Sequence, residues 1–355
     1  MKWSVGTKNL QPFIFEEGVW KAVVISDSGE ESTPEAPKIP YAFPASSPWN
    51  VPNVAETPTP DGTGSVVHPG VVDMERYPEK KIGGFRYWMG ITPYSKSYDQ
   101  LENPCVMASN DGWYWVVPAG VTNPLDHPVS SPYPGGYNSD TDMVWDSDNK
   151  NLVIYWRRVQ GNKEILHAAT SSDGSSWDIH YNIVVTGGPA PTSPAVSVLS
   201  PSLCQTGSHE WRMFTALGDS TLGGSQIQSY TSTSALGPWV FESGQDGTAL
   251  GITSLWHLHV MRHDDIFYCV AVTRNWRLYP GVSVDGKTWT FGQPFLNEGL
   301  TYRAAIQPYG DNQFSLWYSY EGMSEKSKDW WMKYTRVPVS IWDNLPLPSN
   351  TGGGI

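Results

Sequence analysis

Three copies of one turn, S-x-D-G-x-x-W, constrain the fold of this chain most. They read SNDGWYW at 109–115, SSDGSSW at 171–177 and SVDGKTW at 283–289. Glycine permits the positive φ that tight hairpin turns need, and the aspartate can accept hydrogen bonds from backbone N–H groups of the turn. The turn does no chemistry by itself. Its repetition therefore predicts that it joins the third and fourth strands of successive units, with the tryptophan packed between neighbouring units.

Short strands that pass from polar to apolar residues recur through the same part of the chain. The openings of five such units are VVHPGVVDM (66–74), NSDTDMVWD (138–146), LSPSLCQ (199–205), LWHLHVMR (255–262) and TYRAAIQ (301–307). An aromatic strand follows each of them, and Gly and Pro interrupt nearly every window that would carry a helical period. The pattern predicts an all-β chain with a five-bladed β-propeller at 66–342, closed by its C-terminal blade. The alternative is an irregular β-sandwich.

The flanking segments have a different composition. Alternating apolar runs in 1–27 predict a small N-terminal β attachment unit, and the Pro, Ser and Thr of 28–65 predict an extended linker. The residues at 343–355, which end in TGGGI, are expected to form a flexible tail.

Charge and cysteine content exclude several classes of function. A formal net charge of -12 would repel phosphate backbones, so we expect no nucleic-acid partner. The three cysteines are widely spaced and predict neither a disulfide framework nor a zinc motif. The first residues lack the pattern of a signal peptide, and no apolar run is long enough to insert into a membrane.

Propeller geometry predicts where a site would form. The starts of the inner strands ring one mouth of the central channel, and the loops between second and third strands lie on the same face. Acidic, imidazole, guanidinium and aromatic groups meet there, a set that suits sugar recognition, because rings stack on sugar faces while polar groups bind hydroxyls. The candidate carbohydrate-binding residues are His68, Glu102, Asp140, Asp142, Trp256, His257, His259, Arg274, Trp276, Tyr302 and Arg303.

Several of these assignments have alternatives. Asp140 and Asp142 are two apart on a strand and should face the same way, unless the cluster only caps a turn. His257 and His259 also share a face, but no third ligand is obvious; we expect no metal site and no cofactor, and a cation in the central channel stays an open alternative. Glu102 has the alternative of a surface turn. Tyr302 and its neighbour Arg303 should not both face the channel.

The order of HPGVV, TPY…ENP, NSDTDMVWD, SPSL, WHLHV and YRAA resembles a known family. It is similar to the five-bladed propeller domains in tail proteins of phages that infect Gram-positive bacteria. Those domains are distantly similar to the arabinanase and β-xylosidase propellers of glycoside hydrolase family 43. The resemblance covers about residues 66–342, and SVGTKNLQPFIFEEGVWKAVVI at 4–25 resembles the start of minor tail proteins from phages of actinobacteria.

The glycosidase resemblance implies a base Asp at the opening of the first blade, a second Asp at the second and an acid Glu at the third. Here His68 and Pro69 stand in the first opening, Asp140 and Asp142 fit the second, and LSPSL has no Glu. Hydrolysis of a glycosidic bond needs a pair of carboxyl groups. We therefore expect a virion tail-tip protein that binds host cell-surface polysaccharide and is not an enzyme. The alternatives are a glycoside hydrolase that uses Glu102 with Asp140 or Asp142, and a purely structural tail protein.

The phage resemblance also implies partners. Residues 1–65 would attach the protein to other tail proteins, and copies of the chain would form a homo-oligomer within the tail. The expected location is the virion.

Overall fold

The computed structural model describes residues 13–16, 19–22, 24–25, 31–32, 53–55, 57–127, 136–161, 163–188, 195–219, 226–246, 251–252, 254–296, 300–310, 312–321 and 330–348. The chain divides into two compact units, Met1–Pro48 and Trp49–Ile355. No helix in the described ranges is long and apolar enough to span a bilayer.

The first unit contains two small antiparallel pairs. Its strands are β1 (Phe13–Glu16), β2 (Val19–Ala22), β3 (Val24–Ile25) and β4 (Glu31–Ser32). β1 pairs with β2 and β3 pairs with β4. The alternating apolar runs in 1–27 thus contain an antiparallel pair, β1 with β2.

The second unit is a five-bladed β-propeller, as the openings predicted. Its first strand is β5 (Asn53–Val54), which belongs to the last blade. Blade 1 has β6 (Val66–Asp73), β7 (Tyr87–Pro93) and β8 (Cys105–Ser109). Blade 2 has β9 (Tyr137–Asp146), β10 (Asn151–Gln160), β11 (Lys163–Ser171) and β12 (Asp178–Ile183). Blade 3 has β13 (Val185–Thr186), β14 (Ala195–Gly207), β15 (Glu210–Asp219), β16 (Gln226–Ser232) and β17 (Trp239–Asp246).

The remaining two blades complete the ring. Blade 4 has β18 (Leu255–His263), β19 (Ile266–Thr273), β20 (Leu278–Ser283) and β21 (Thr290–Phe291). Blade 5 has β22 (Leu300–Tyr309), β23 (Gln313–Glu321), β24 (Trp330–Pro338) and the early strand β5. Among the described residues the helical turns are three 3₁₀ segments, Met74–Arg76, Ser95–Ser97 and Asp99–Leu101, and the α-helical turn α1 (Ser340–Asp343).

The ring closes through strands from both ends of the propeller. β5 pairs antiparallel with β24, with Asn53 opposite Tyr334 and Val54 opposite Lys333. Ala55, which follows β5, is buried in the apolar core between blades 1 and 5. The propeller therefore begins before residue 66, and the end of the segment that we expected to be a linker forms part of it.

The C-terminal end of the propeller also extends further than expected. The ring of Trp342 is fully buried and its Nε1 donates to the carbonyl of Cys269 at 2.8 Å. Leu345, which we placed in the flexible tail, packs against the core of blades 4 and 5. Residues 349–355 lie outside the described residues.

The repeated turn has the predicted geometry. In the copy between β11 and β12, Asp173 Oδ1 accepts from the N–H groups of Ser175 at 2.7 Å and Ser176 at 3.0 Å, and the Ser171 hydroxyl accepts from Gly174 N–H at 2.8 Å. Gly174 has φ +77°. The copy between β20 and β21 repeats these bonds, and in the copy after β8 the tryptophan, Trp115, is buried against blade 5.

Each inner strand has a β-bulge near its start, where the register with the second strand shifts. The shifts fall between Val67 and Gly70 in β6, and between Thr301 and Ala304 in β22, with equivalents in β9, β14 and β18. A bulge inserts a residue and turns side chains away from strict alternation. The bulges therefore decide which side chains reach the channel.

Candidate functional site

Three buried side chains from three blades meet at the bulges. His68 Nε2 lies 3.3 Å from Asp140 Oδ1, and His257 Nδ1 lies 3.1 Å from the same oxygen. Within the described residues these three atoms have no hydrogen-bond partner, because the two close contacts lack hydrogen-bond geometry. One ligand atom from each residue lies within 4.8 Å of the others. We call His68, Asp140 and His257 the His–Asp–His cluster.

The ionisation states of the cluster suit a cation. Burial lowers the pKa of His68 well below its usual value, and lowers that of His257 to about 4. Burial alone would raise the pKa of Asp140, but Arg157, His68 and His257 together hold it well below the usual range. At neutral pH the cluster is thus two neutral imidazoles and one carboxylate, the forms that bind a divalent metal ion.

Neighbouring groups orient two members of the cluster. His68 Nδ1 lies 2.9 Å from Thr92 Oγ1 and accepts a hydrogen bond from the Asp140 backbone N–H at 3.3 Å. The tautomer with its proton on Nδ1 would instead donate to Thr92 and leave the Nε2 lone pair free to act as a ligand. The other carboxylate oxygen, Asp140 Oδ2, lies 2.7 Å from Arg157 Nε.

A second buried carboxyl group lies beside the cluster. Glu102 follows the 3₁₀ turn Asp99–Leu101 and is only 3% exposed, so it is not a surface turn residue. Its Oε2 lies 3.6 Å from His68 Nδ1 and has no hydrogen-bond partner in the described part of the chain. Burial and the charge of Asp140 raise the pKa of Glu102 well above its usual value. A carboxyl group in this state can hold and transfer a proton.

Five rings form a wall next to the cluster. The ring of Tyr302 lies 4.5 Å from that of His257. The ring of Trp276 stacks on the Tyr302 ring, with 5.4 Å between the centroids and an interplanar angle of 23°. Trp276 holds φ +62°, and its carbonyl accepts from the Thr301 hydroxyl at 2.8 Å. The members of this aromatic wall are Tyr94, Trp256, Trp276, Tyr302 and Trp330. Such flat surfaces suit the apolar face of a sugar.

A second set of polar side chains, those of Asp142, His259 and Arg303, lies next to the cluster in the channel. Asp142 Oδ1 is 3.9 Å from both His259 Nε2 and Arg303 Nη2, and Asp142 Oδ2 accepts from the Leu203 N–H at 2.8 Å. Burial raises the pKa of Asp142 to about 7, although Arg303 opposes this, and burial lowers that of His259 to about 3. His259 also lines a cavity of about 430 Å³ that does not include the cluster.

The structure brings the candidate residues together, but in a different grouping from the one expected. Asp140 and Asp142 do not act as a pair, because Asp140 holds φ +57° at the bulge of β9 and contacts His68 and His257, while Asp142 faces Arg303. His257 and His259 likewise have different carboxylate partners.

The expectation that Tyr302 and Arg303 cannot both reach the channel is wrong. The bulge of β22 falls between Thr301 and Ala304. Tyr302 therefore contacts His257, while the fully buried Arg303 lies by Asp142. Arg274 lies over the ring of Trp256 at 4.1 Å, at the edge of the aromatic wall.

Four residues of the site are not among the candidates: Tyr94, Arg157, Thr92 and Trp330. Thr92 lies in β7, where sequence reasoning looked only for charged and aromatic groups, and Trp330 begins β24 in the outer part of blade 5. The ring of Trp330 lies 5.0 Å from that of Tyr302. Its place in the third strand of the fifth unit carried no signal for a site on the channel side.

No protein-family model matches the chain. A stretch of 122 residues is 33% identical to the A type blood N-acetyl-alpha-D-galactosamine deacetylase of Flavonifractor plautii. The match covers 34% of this chain and 15% of that protein, so the chain spans only a small part of the length of this curated relative.

Solved structures with this fold include carbohydrate-active enzymes. An N-acetylgalactosamine deacetylase from F. plautii, in complex with blood group B trisaccharide, aligns with a TM-score of 0.67 at 19% identity, over 84% of this chain and 99% of that one. An exo-β-1,3-galactanase from Phanerochaete chrysosporium aligns with a TM-score of 0.58 at 12% identity, over 84% and 66%. A family 43 β-xylosidase/α-arabinofuranosidase from a compost metagenome aligns at 0.53 and 10% identity, over 81% and 95%. The protein is thus a five-bladed propeller similar to these glycosidase propellers and to a deacetylase.

These comparisons overturn our expectation that the protein is not an enzyme. The curated relative and the solved structures named above are enzymes. The expectation relied on the missing glycosidase carboxylates in the first and third openings. The absence of those carboxylates argues only against glycoside hydrolysis. His68, a member of the His–Asp–His cluster, stands in the first opening, where the glycosidase pattern has its base Asp.

Proposed function

We propose that the protein is a metal-dependent deacetylase that removes the acetyl group from an N-acetylated hexosamine of a glycan. The observation that carries the proposal is the convergence of His68 Nε2, Asp140 Oδ1 and His257 Nδ1 beside the buried carboxyl group of Glu102. The deacetylase relative supports the choice of reaction.

The cluster fits a divalent metal ion. Two imidazole nitrogens and one carboxylate oxygen, from three blades, offer a ligand set typical of catalytic sites that keep a position open for water or substrate. A bound ion would supply Lewis-acid activation of water and of the amide carbonyl. Among the described residues the cluster's ligand atoms have no other hydrogen-bond partner, which supports this role.

Glu102 would move the proton. In the reaction, water adds to the acetamide carbon, the C–N bond breaks, and acetate and a free amine result. The proton that water loses must reach the leaving nitrogen. Glu102 lies next to His68 and, starting as a carboxylate, would take this proton from water and give it to the nitrogen; its raised pKa makes it a stronger base for the first transfer.

The aromatic wall favours a sugar as the substrate. Tyr302 contacts the ring of His257, so a sugar ring that stacks against the wall would lie within reach of the cluster. Stacking leaves the hydroxyl and acetamide groups at the rim of the sugar free to meet polar side chains. Arg274 and Glu102 are the polar candidates at this mouth.

The test is acetate release by the purified full chain from methyl glycosides of N-acetylgalactosamine and N-acetylglucosamine. The chain would be treated with a chelator and then supplied with Zn²⁺, Mn²⁺ or Co²⁺. We expect acetate only when metal is present. Asp140→Asn should weaken metal binding about 100-fold, measured by calorimetry, and abolish acetate release.

A matched control is Asp73→Asn. Asp73 is also a buried aspartate with an arginine partner, since Arg86 Nη2 lies 2.7 Å from its Oδ2, but it lies outside the cluster. This variant should lose stability and keep its metal affinity. Equal metal affinity in Asp140→Asn and the wild type would refute the metal site, and acetate release that survives the chelator would refute the metal dependence.

Glycoside hydrolysis is the second candidate. It is favoured by the fold shared with the galactanase and by the presence of two buried carboxyl groups, Glu102 and Asp140, on either side of the His68 ring. Asp140 is already engaged by Arg157, which suits a ligand better than a nucleophile or base. New reducing ends without acetate, abolished by Glu102→Gln, would establish this reaction instead.

We also propose, from the sequence resemblance alone, that the enzyme is part of a phage tail and acts on host cell-surface polysaccharide. Residues 1–65 would contact other tail proteins, and copies of the chain would assemble there. Mass spectrometry of purified particles tests the location: the protein should be present at fixed stoichiometry, and its absence from particles would contradict the proposal.

A further inference from the structure

One buried arginine contacts the ligand carboxylate on the side away from the histidines. Arg157 Nε lies 2.7 Å from Asp140 Oδ2, as an ion-pair contact without hydrogen-bond geometry. The two histidine contacts both involve Asp140 Oδ1. The two oxygens of this carboxylate therefore have separate partners.

Arg157 is itself held in place by two further groups. Its Nη1 lies 2.5 Å from Glu164 Oε1, and its Nη2 donates to the Ser139 hydroxyl at 3.1 Å. Arg157 is 6% exposed, so its position is fixed by these contacts in a site with little water. Glu164 balances the charge of Arg157, which leaves the charge of Asp140 for a cation.

We propose that Arg157 is a positioning residue that holds Asp140 Oδ2 and so restricts Asp140 to a single ligand oxygen. The inference rests on the proposed metal site. A carboxylate can bind a metal ion through one oxygen or through both. By occupying Oδ2, Arg157 keeps one coordination position available for water or the substrate carbonyl.

The test is the visible absorption spectrum of the Co²⁺-loaded protein, because the intensity of the cobalt d–d bands reports the number of ligands. Arg157→Met removes the charge and the donors while keeping most of the side-chain volume. We expect this variant to bind Co²⁺ within about tenfold of wild-type affinity, with altered band intensity, and to lose about 100-fold in kcat with little change in KM. Arg157→Lys should recover part of both losses.

Arg212→Met is the matched control, because Arg212 forms a similar group in blade 3. Its Nη1 lies 2.6 Å from Glu242 Oε2 and 3.2 Å from the Ser229 hydroxyl. This variant should keep the wild-type spectrum and kcat. If Arg157→Met does not fold, Arg157→Lys provides the same comparison.

Several outcomes separate this inference from the proposed function. A wild-type cobalt spectrum in both Arg157 variants would overturn the inference even if the wild type releases acetate. An altered spectrum in a protein that releases no acetate would support the inference and sink the proposed activity. A wild type that binds no Co²⁺ would overturn both.

Discussion

His68 and Asp140 hold φ values of 58° and 57°, a region that costs residues other than glycine about 1 to 3 kcal/mol each. Ser200, at the start of the third inner strand, shares this conformation with φ 57°. Two of these three residues are members of the His–Asp–His cluster. The bulges thus aim two of the ligand side chains, and the packing of the propeller supplies the stability that offsets the strain.

His167 allows a test of a buried imidazole away from the cluster. Burial lowers its pKa to about 4, and its Nδ1 accepts from the Asn182 N–H at 2.9 Å. Between pH 6.5 and 4 the unfolded chain binds a proton that folded His167 does not, so the free energy of unfolding falls as pH falls. His167→Gln removes this contribution. Between pH 7 and pH 4.5 the free energy of unfolding in urea should fall by roughly 2 kcal/mol more for the wild type than for the variant.

Parallel pH profiles for wild type and His167→Gln would contradict a depressed pKa at this residue. His209 provides the control, since its side chain is 73% exposed. His209→Gln should leave the difference between the two pH values unchanged.

At this scale the sequence predicted which residue types gather at the channel mouth, and not how they pair. The period of two in a strand places Asp140 beside Asp142 and separates Tyr302 from Arg303. The bulges break that period, and nothing in the letters NSDTD or TYRAA marks the inserted residue. For the same reason the third ligand was missed: His68 was a candidate, but its contact with Asp140 depends on a bulge in each of two strands.

Among the elements, the repeated turn is the one that local sequence determines most fully. Its serine, aspartate and glycine make their bonds within a few residues, so the same hydrogen bonds recur in all three copies. The contact of the tryptophan with a neighbouring blade was predicted from the repeated units and not from the turn alone. The strands could be assigned to blades because each opening repeats in order. The pairing of β5 with β24 could not be predicted, because a two-residue strand has no periodicity.

The glycine of the turn between β11 and β12 gives a test at this scale. A Cβ on Gly174 would lie 2.1 Å from the ring of Trp88, in addition to the strain of φ +77°. Gly174→Ala should therefore lower the free energy of unfolding by about 3 kcal/mol or more, measured in urea.

Two other glycines serve as comparisons. Gly62 has a similar φ of +72° but no atom within 4 Å of an added Cβ, so Gly62→Ala should cost only about 1 kcal/mol, which is the backbone term alone. Gly286 should fall between them, because its nearest neighbour at 3.0 Å is the flexible end of Arg212. Equal losses for Gly174→Ala and Gly62→Ala would mean that contact with Trp88 has no part in the cost.

Across the whole molecule, the ring closes where β5 lies next to β24, so residues 53–65 are needed for blade 5. A chain that starts at Trp49 should keep the wild-type melting temperature within a few degrees. A chain that starts at Val66 loses β5 and the buried Ala55, and should melt at least about 10 °C lower. Differential scanning calorimetry of both chains makes the comparison. Equal melting temperatures for the two chains would show that β5 does not close the ring.

The ring also sets the time at which the site is completed during synthesis. Its parts are encoded far apart: His68 is made early, His257 much later, and Tyr302 in the last blade. β24, which pairs with β5, is made later still, after every member of the cluster. A ribosome that is still translating therefore carries a chain whose blades are present but whose ring is open. We expect this chain to acquire its channel mouth only once β24 has left the ribosome.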